Sequence, residues 1–402
     1  MNNKKINEIA VKLVDNVFFI KAVAFCIKSV RGRLPYARPV PDPGSIKKIL
    51  IIKLEGMGDA VYLAEIAGRL KAAYPDIKID ILTTGKVPVF KILCPLDGFG
   101  IISINPLNIL DYYKTIKYLN GIGYDFIADA TGMPVNVPLM LAFIKTSKSY
   151  IAGFGTLKIK KALYDAIEDL SGDIHIFENY LKLFKIFDIP RVKKFTLELP
   201  EAFKAEEAEG VSASVIAPLP AAKNAVLVLS SNAGGLMHRK LPIANSVKLI
   251  KMLNEKFGDI GISLLGGPDD YGYLEEIKKA AENASGYENA SGNRAPFLKI
   301  EKTKNIEEAM FALKNSFLNI CIDSGLMHLS SLVNPNTYCL FGYSDPKNSL
   351  PFNNIGFYST SADTACSPCS FYRISPCAGL KCMEAINIDA VMEDISVVAK
   401  NF

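Results

Sequence analysis

Four short segments gather the residues whose types and spacing suit chemistry. The first, Leu54-Glu55-Gly56-Met57-Gly58-Asp59, follows an apolar run and opens a helical pattern. Its glycines permit a tight turn with close backbone approach, and Asp59 falls at or near a helix N-cap. Asp59 reads either as that cap or as a carboxylate presented to a ligand as general base. The segment fails as a dinucleotide fingerprint: only Gly56 and Gly58 match, and Val61 holds the third glycine position. The second segment, residues 230–240, places the small residues Ser231 and Asn232 ahead of Arg239 and Lys240. Backbone N–H groups and an arginine fork are what a pyrophosphate needs, and a solvent-exposed Arg-Lys turn is the competing reading.

The third segment, Leu265-Gly266-Gly267-Pro268-Asp269-Asp270, ends a strand pattern in Gly-Gly. With Gly267 and Asp269 it suits close passage of a nucleotide base or ribose, and it also reads as an ordinary turn. The fourth, Cys321-Ile322-Asp323-Ser324-Gly325-Leu326-Met327-His328-Leu329, ends a strand and starts a helix. Free N–H groups at such a start attract an anion; Asp323 would hold a ribose hydroxyl or orient the loop, and His328 is expected to face the ligand. Ser324 is not in a Gly-x-Ser-x-Gly elbow, so a nucleophilic serine is discounted. Cys366, Cys369, Cys377 and Cys382 crowd into seventeen residues. Four thiolates would suffice for a tetrahedral zinc, with free or reversibly paired thiols the favoured reading.

The elements that must position these loops alternate. Lys48–Lys53 is an apolar run of buried parallel-strand type, followed by a helix over 59–74 and a strand over 77–82. Then come a helix over 86–94, a strand over 100–104, a helix over 107–120 and a strand over 125–130. Residues 200–224 hold few large apolar side chains and read as a connector. The alternation restarts with strands over 225–230, 260–265, 317–322 and 337–341, and helices over 242–257, 271–283, 305–315 and from Ser324. Residues 281–296 read as a surface loop. This pattern predicts two Rossmann-like domains in tandem, the second more complete than the first, with ligand bound in a cleft at the carboxyl ends of the strands. The expected boundaries are an arm and Pro-rich linker over 1–45, a first domain over 46–205 and a second over 206–402. Arg38–Gly44 is a Pro/Gly stretch expected to exclude a helix.

Charge sharpens the picture. The 402 residues are half apolar, with mean hydropathy +0.19 and net charge +5. Residues 1–48 hold ten Lys or Arg against Glu8, Asp15 and Asp42, a net of +7, so the other 354 residues carry −2. A basic arm on a near-neutral body excludes the basic face that nucleic-acid binding requires. No stretch reaches the eighteen or so apolar residues of a spanning helix. With eight cysteines and no secretory pattern, reduced thiols in the cytoplasm are expected. The arm over residues 1–38 is read as an anchor on an anionic membrane surface, with docking on the protein body or a disordered tail as the alternatives.

Five motifs in order resemble glycosyltransferase family 9, the ADP-heptose:lipopolysaccharide heptosyltransferases. They are Ile51–Asp59; Tyr124-Asp125-Phe126-Ile127-Ala128-Asp129-Ala130-Thr131-Gly132; Asn232–Pro242; Asp323–Leu329; and Leu340-Phe341-Gly342-Tyr343-Ser344-Asp345-Pro346. The resemblance runs from about Lys48 to the C-terminus. It implies a GT-B fold and an inverting, metal-independent transfer of a sugar, heptose from ADP-heptose being favoured, with no cofactor. The acceptor would be a lipid-linked envelope glycan such as lipopolysaccharide core, reached from the inner face of the cytoplasmic membrane. Asp59 would be the general base and Arg239, where the family usually has Lys, would hold the leaving pyrophosphate. Glu55, Gly58 and Asp129 would lie on the acceptor side. Lys53 replaces a common Arg, Leu241 a common Trp, and Glu55 stands where Ser is frequent. A non-catalytic nucleotide- or sugar-binding protein on a degenerate GT-B body is the alternative.

Overall fold

The computed structural model describes residues 38–398, apart from 86, 95–97, 106–107, 132–136, 138–139, 142–148, 156–159, 161–162, 198, 201–202, 204–223, 232–238, 259, 285–297, 362–363 and 370–380. Nearly all of the arm, most of the 200–224 connector and most of the 281–296 loop therefore lie outside the described residues. The chain divides into two compact units at Val192 and Lys193.

In the first unit the strands are β1 (Lys48–Ile52), β2 (Lys78–Thr83), β3 (Phe99–Ser103), β4 (Phe126–Asp129), β5 (Tyr150–Phe154) and β6 (Ala166–Glu168). They form one parallel sheet in the order β3-β2-β1-β4-β5-β6. The central strands are unbroken apolar runs because both faces of a parallel sheet are covered; Ile49 to Ile52 are all fully buried. Helices α1 (Met57–Ala73), α2 (Phe90–Leu93), α3 (Ile109–Ile122) and α4 (Ile176–Leu183) belong to this unit. Among the described residues of the helix expected over 86–94, only Phe90–Leu93 form an α-helix.

The second unit repeats the plan. Its strands are β7 (Asn224–Val228), β8 (Gly261–Leu265), β9 (Leu298–Glu301), β10 (Leu318–Ile322), β11 (Thr337–Phe341) and β12 (Gly356–Ser359). Their order is β12-β11-β10-β7-β8-β9, again all parallel. Counted from its own first strand, this is the same doubly wound order as in the first unit. Helices α5 (Ile243–Phe257), α6 (Tyr271–Asn283), α7 (Ile306–Lys314), α8 (Gly325–Val333), α9 (Pro346–Ser349), α10 (Lys381–Glu384) and α11 (Ile388–Val398) complete it. Alternate residues feed two cores, one per sheet face: Leu227, Ile320 and Leu340 enter one, Val226, Cys321 and Phe341 the other.

Two expectations are corrected. Among the described residues both sheets have six strands, so the second domain is not the more complete one; β5 is the buried apolar run Tyr150-Ile151-Ala152-Gly153-Phe154, and β6 is only the three half-buried residues Ala166–Glu168. The Pro/Gly stretch does contain a helical turn, the short 3-10 helix Pro43–Ser45, because proline at the first helical position forfeits no needed donor. This stretch is also tied to its unit. The Arg38 backbone N–H donates to Asp165 Oδ1 at 3.3 Å, and its guanidinium donates to the Ser149 carbonyl.

Candidate active site

In a doubly wound sheet the order reverses beside the first strand, and loops at the carboxyl ends of the two diverging strands splay apart to leave a crevice. In the first unit those strands are β1 and β4, which lead to Asp59 and to Asp129. In the second they are β7 and β10, which lead to Arg239 and to Asp323. Most of the sequence-predicted residues thus fall on the two switch points, whereas Gly267 and Asp269 follow the neighbouring strand β8.

The chain leaves β1 through Lys53 and turns at Gly56, whose backbone is left-handed at φ 85° and ψ 84°. A Cβ there would lie 2.9 Å from Asp59 Oδ2, so both the conformation and the space call for glycine. Gly56 is the N-cap of α1, and Asp59 is its third residue, a position where the helix dipole favours negative charge. The Asp59 carboxylate accepts from Lys53 Nζ at 2.8 Å and from the Tyr180 hydroxyl at 2.9 Å. Lys53 Nζ and the Tyr180 hydroxyl are themselves 2.7 Å apart, and Lys53 also reaches the Ala130 carbonyl at 3.5 Å. Lys53 is 7% exposed and Asp59 36% exposed at the side chain, so the ammonium is buried and the carboxylate is presented.

Tyr180 comes from α4, which begins on His175: the ring Nδ1 accepts from the Phe177 N–H at 3.2 Å, and the ring meets Tyr62 edge-on at 5.1 Å. Burial, with the Asp59 charge adding to it, pushes the Tyr180 hydroxyl well above the ordinary phenol range, so it stays a donor. Tyr180 is absent from the sequence reading, and Lys53 entered it only as a family departure. Gly58 is buried within the first turn of α1, and Glu55 is exposed on the loop.

Asp129 departs from its expected acceptor-side role. It is fully buried and ion-paired with Lys160 at 3.0 Å, itself fully buried. The Tyr164 hydroxyl donates to the same oxygen, Oδ2, while the Thr131 N–H donates to Oδ1 at 2.9 Å and the Thr131 hydroxyl joins it. Lys160 also donates to the Phe154 carbonyl at 2.6 Å. A buried carboxylate and ammonium survive together only when so many partners answer them, and this network ties the ends of β4 and β5 together.

In the second unit, the loop after β7 closes on itself. Ser230 and Lys240 form an antiparallel bridge, the Ser231 N–H donates to the Arg239 carbonyl at 2.8 Å, and Leu241 returns to Leu229 at 2.9 Å. Asn232 lies outside the described residues. The Arg239 guanidinium stands over the Tyr343 ring at 4.8 Å, and Lys240 Nζ over the Tyr273 ring at 4.5 Å. Among the described residues, the buried Nε of Arg239 has no hydrogen-bond partner. The Tyr343 hydroxyl donates to Asp323 Oδ2 at 3.0 Å; burial and then Asp323 raise it well above the phenol range, with Arg239 opposing.

Ser324 caps α8, its side chain accepting from the Met327 N–H at 3.3 Å, and Gly325 is the helix's first residue. His328, expected to face a ligand, is only 5% exposed; its Nε2 lies 3.9 Å from Asp323 Oδ1. The histidine therefore addresses the aspartate, because the inward side of α8 is packed against the sheet. After β8, the exposed Asp269 contrasts with the buried Asp270, which accepts from the Gly267 N–H at 3.1 Å and from the Ser230 hydroxyl at 2.7 Å. Asp270 thus ties the β7 and β8 ends together. Nothing in an Asp-Asp pair says which member turns inward.

These residues bring an arginine, a lysine, the start of α8 and a hydroxyl-linked carboxylate to one sheet edge, a set suited to a phosphorylated ligand. Among the described residues, no group of three His, Cys, Asp or Glu side chains is placed to hold a metal. Cys366 and Cys369 are exposed and Cys382 is buried, while Cys377 lies outside the described residues.

Two doubly wound parallel sheets of the same order, each with polar side chains gathered where that order reverses, make a GT-B-like fold. The chain belongs to glycosyltransferase family 9 (heptosyltransferase), which matches residues 113–374. Membership sets aside the non-catalytic alternative. Among solved structures, it is similar to the Escherichia coli ADP-heptose lipopolysaccharide heptosyltransferase II at 16% identity and TM-score 0.62, over 87% of this chain and 98% of that one. A family 9 glycosyl transferase from Veillonella parvula matches at 15% identity and TM-score 0.67, over 91% and 100%. The E. coli heptosyltransferase WaaC with ADP matches at 16% identity and TM-score 0.56, over 88% and 100%. No curated protein matches the chain.

Proposed function

We propose that the protein transfers a sugar, with inversion and without a metal, from a nucleoside diphosphate donor to a lipid-linked envelope glycan. ADP-heptose is the favoured donor: the similar E. coli enzymes are an ADP-heptose heptosyltransferase and one solved with ADP. Asp59 takes the proton of the acceptor hydroxyl, whose oxygen bonds to the anomeric carbon as the carbon–phosphate oxygen bond breaks and the nucleoside diphosphate leaves. The observation that carries this reading is the presented carboxylate of Asp59, oriented by a buried ammonium and a buried hydroxyl.

Arg239 and Lys240 meet the charge that develops on the departing diphosphate, helped by the α8 start at Ser324 and Gly325. Ser231, Asn232, Gly267, Asp269, Asp323 and His328 complete the donor side, and Glu55 and Gly58 the acceptor side. Residues 1–38 tether the chain to the anionic inner face of the cytoplasmic membrane. No helix among the described residues is long and apolar enough to cross a membrane.

The test is turnover of ADP-heptose beside ADP binding. Asp59→Ala should cut turnover by about 10²–10⁴ with ADP affinity nearly intact. Arg239→Ala should weaken ADP binding by about 10–100-fold, the scale of a lost hydrogen bond to a charged group. Normal turnover in the first variant removes Asp59 from the mechanism, and unchanged affinity in the second removes Arg239.

A further inference from the structure

Helix α3 is apolar on two sides. Its inner side packs Tyr112, Thr115, Ile116 and Leu119 against the first unit. Its outer side presents Leu110, Tyr113 and Tyr118, exposed at 68%, 66% and 56%, interleaved with exposed Lys114 and Lys117. At 100° per residue these five side chains share an arc of about 140°. No carboxylate within that arc is exposed; Asp111, at its margin, accepts from the Asn105 N–H at 2.6 Å. A helix already seated by one apolar face needs no second one to fold.

We infer that this outer face of α3 is a docking surface for an anionic lipid bilayer. Tyrosine and lysine both place an apolar body beneath a polar tip, the form that suits the headgroup boundary, and the two lysines complement anionic lipid. Five side chains on one helix fall short of the roughly 800 Å² per partner of a stable protein interface.

The topology agrees. As the crossover between parallel strands, α3 runs from the carboxyl edge of the sheet, where Asp59 lies, to its amino edge. There Lys48 Nζ donates to the Ile122 carbonyl at 2.8 Å, while the Lys47 and Lys48 N–H groups donate to Asp125 Oδ2 at 2.8 and 3.0 Å. The basic segment therefore joins the body at the edge where this face ends. The face extends a one-point tether into a contact that would orient the unit. This inference rests on the lipid-linked acceptor proposed above only for its purpose.

Sedimentation of the full chain with phosphatidylcholine vesicles, with and without phosphatidylglycerol, tests it. The unaltered protein should bind the anionic vesicles and not the neutral ones. L110S/Y113S/Y118S and K114Q/K117Q should each lower vesicle affinity about tenfold or more with unchanged thermal midpoint, since all five side chains are exposed. Binding equal to the unaltered protein in both variants overturns the inference. So does a lack of vesicle binding by the unaltered protein, or self-association that the variants abolish. The readout uses neither donor nor acceptor, so its failure and a failure of sugar transfer are separate results.

Discussion

Lys53 and Asp59 form a 2.8 Å ion pair across the turn from β1 into α1, with the ammonium buried and the carboxylate left partly open. A buried ammonium is costly unless answered, and Asp59, Tyr180 and the Ala130 carbonyl answer it together. The pair thus sets where the carboxylate points, and the Tyr180 hydroxyl, 2.7 Å from Lys53 Nζ, donates to the same oxygen, Oδ2.

Tyr180→Phe should lower kcat about tenfold with little change in KM, the scale of one lost hydrogen bond to a charged group. Lys53→Met should cost more, because it removes the buried ammonium that fixes where the carboxylate points. Tyr180 itself ionises far above the ordinary phenol range, so it should add no alkaline limb below about pH 10. Rate profiles of the two variants that overlay the parent would refute this bracing role.

Gly56→Ala should be harmful twice over. The left-handed backbone would cost about 1–2 kcal/mol, and the new methyl would push Asp59 Oδ2 from a position 2.9 Å away. Urea unfolding should record the first effect and turnover the second. Gly121→Ala, in α3 with nothing within 4 Å of its added methyl, should instead stabilise by about 0.5–1 kcal/mol.

Breaking the Asp129–Lys160 pair should be a stability defect. Lys160→Met strands a fully buried carboxylate and should cost about 3–5 kcal/mol. Asp129→Asn with Lys160→Met should cost less than the sum of the single changes. A denaturant titration of the three variants measures both statements, and strict additivity would contradict the pairing.

Stability should fall above about pH 9. Burial pushes the Cys94 and Cys321 thiols from 9.0 up to about 12. The native state therefore keeps these protons where the unfolded chain has released them. The stability each group contributes is complete below the unfolded value and is lost as pH rises from 9 toward the folded value. Each should remove about 1.4 kcal/mol per pH unit over that interval. Urea midpoints at pH 8, 9 and 10 should decline accordingly, and Cys94→Ala should flatten the slope.

Much of the framework is legible in the residues themselves. The strands β1, β4, β7, β8, β10 and β11 announce themselves because a strand covered on both faces is mostly apolar, and β2 does so through the alternation of Ile79 and Ile81 with polar residues. β6 does not: it is three half-buried residues, Ala166-Ile167-Glu168, at a sheet edge. The four chemical segments were legible for the same reason, since small and polar residues directly after a buried run mark the carboxyl edge of a sheet.

What each polar residue does there was a different matter. Asp59 and Asp129 both follow strands, yet one is presented and the other is sealed with Lys160, and no local pattern separates them. Tyr180 lies 121 residues from the carboxylate it holds. Tyr343 lies in the last of the five motifs, and only packing sets its ring under Arg239 and its hydroxyl on Asp323. By itself the sequence determined the class of fold, the loops that carry chemistry and the charged arm, because those follow from backbone periodicity and composition along the chain. Only the tertiary structure decided which side chains meet, which are buried and which are offered, because burial and hydrogen bonding depend on segments that packing brings together from far apart.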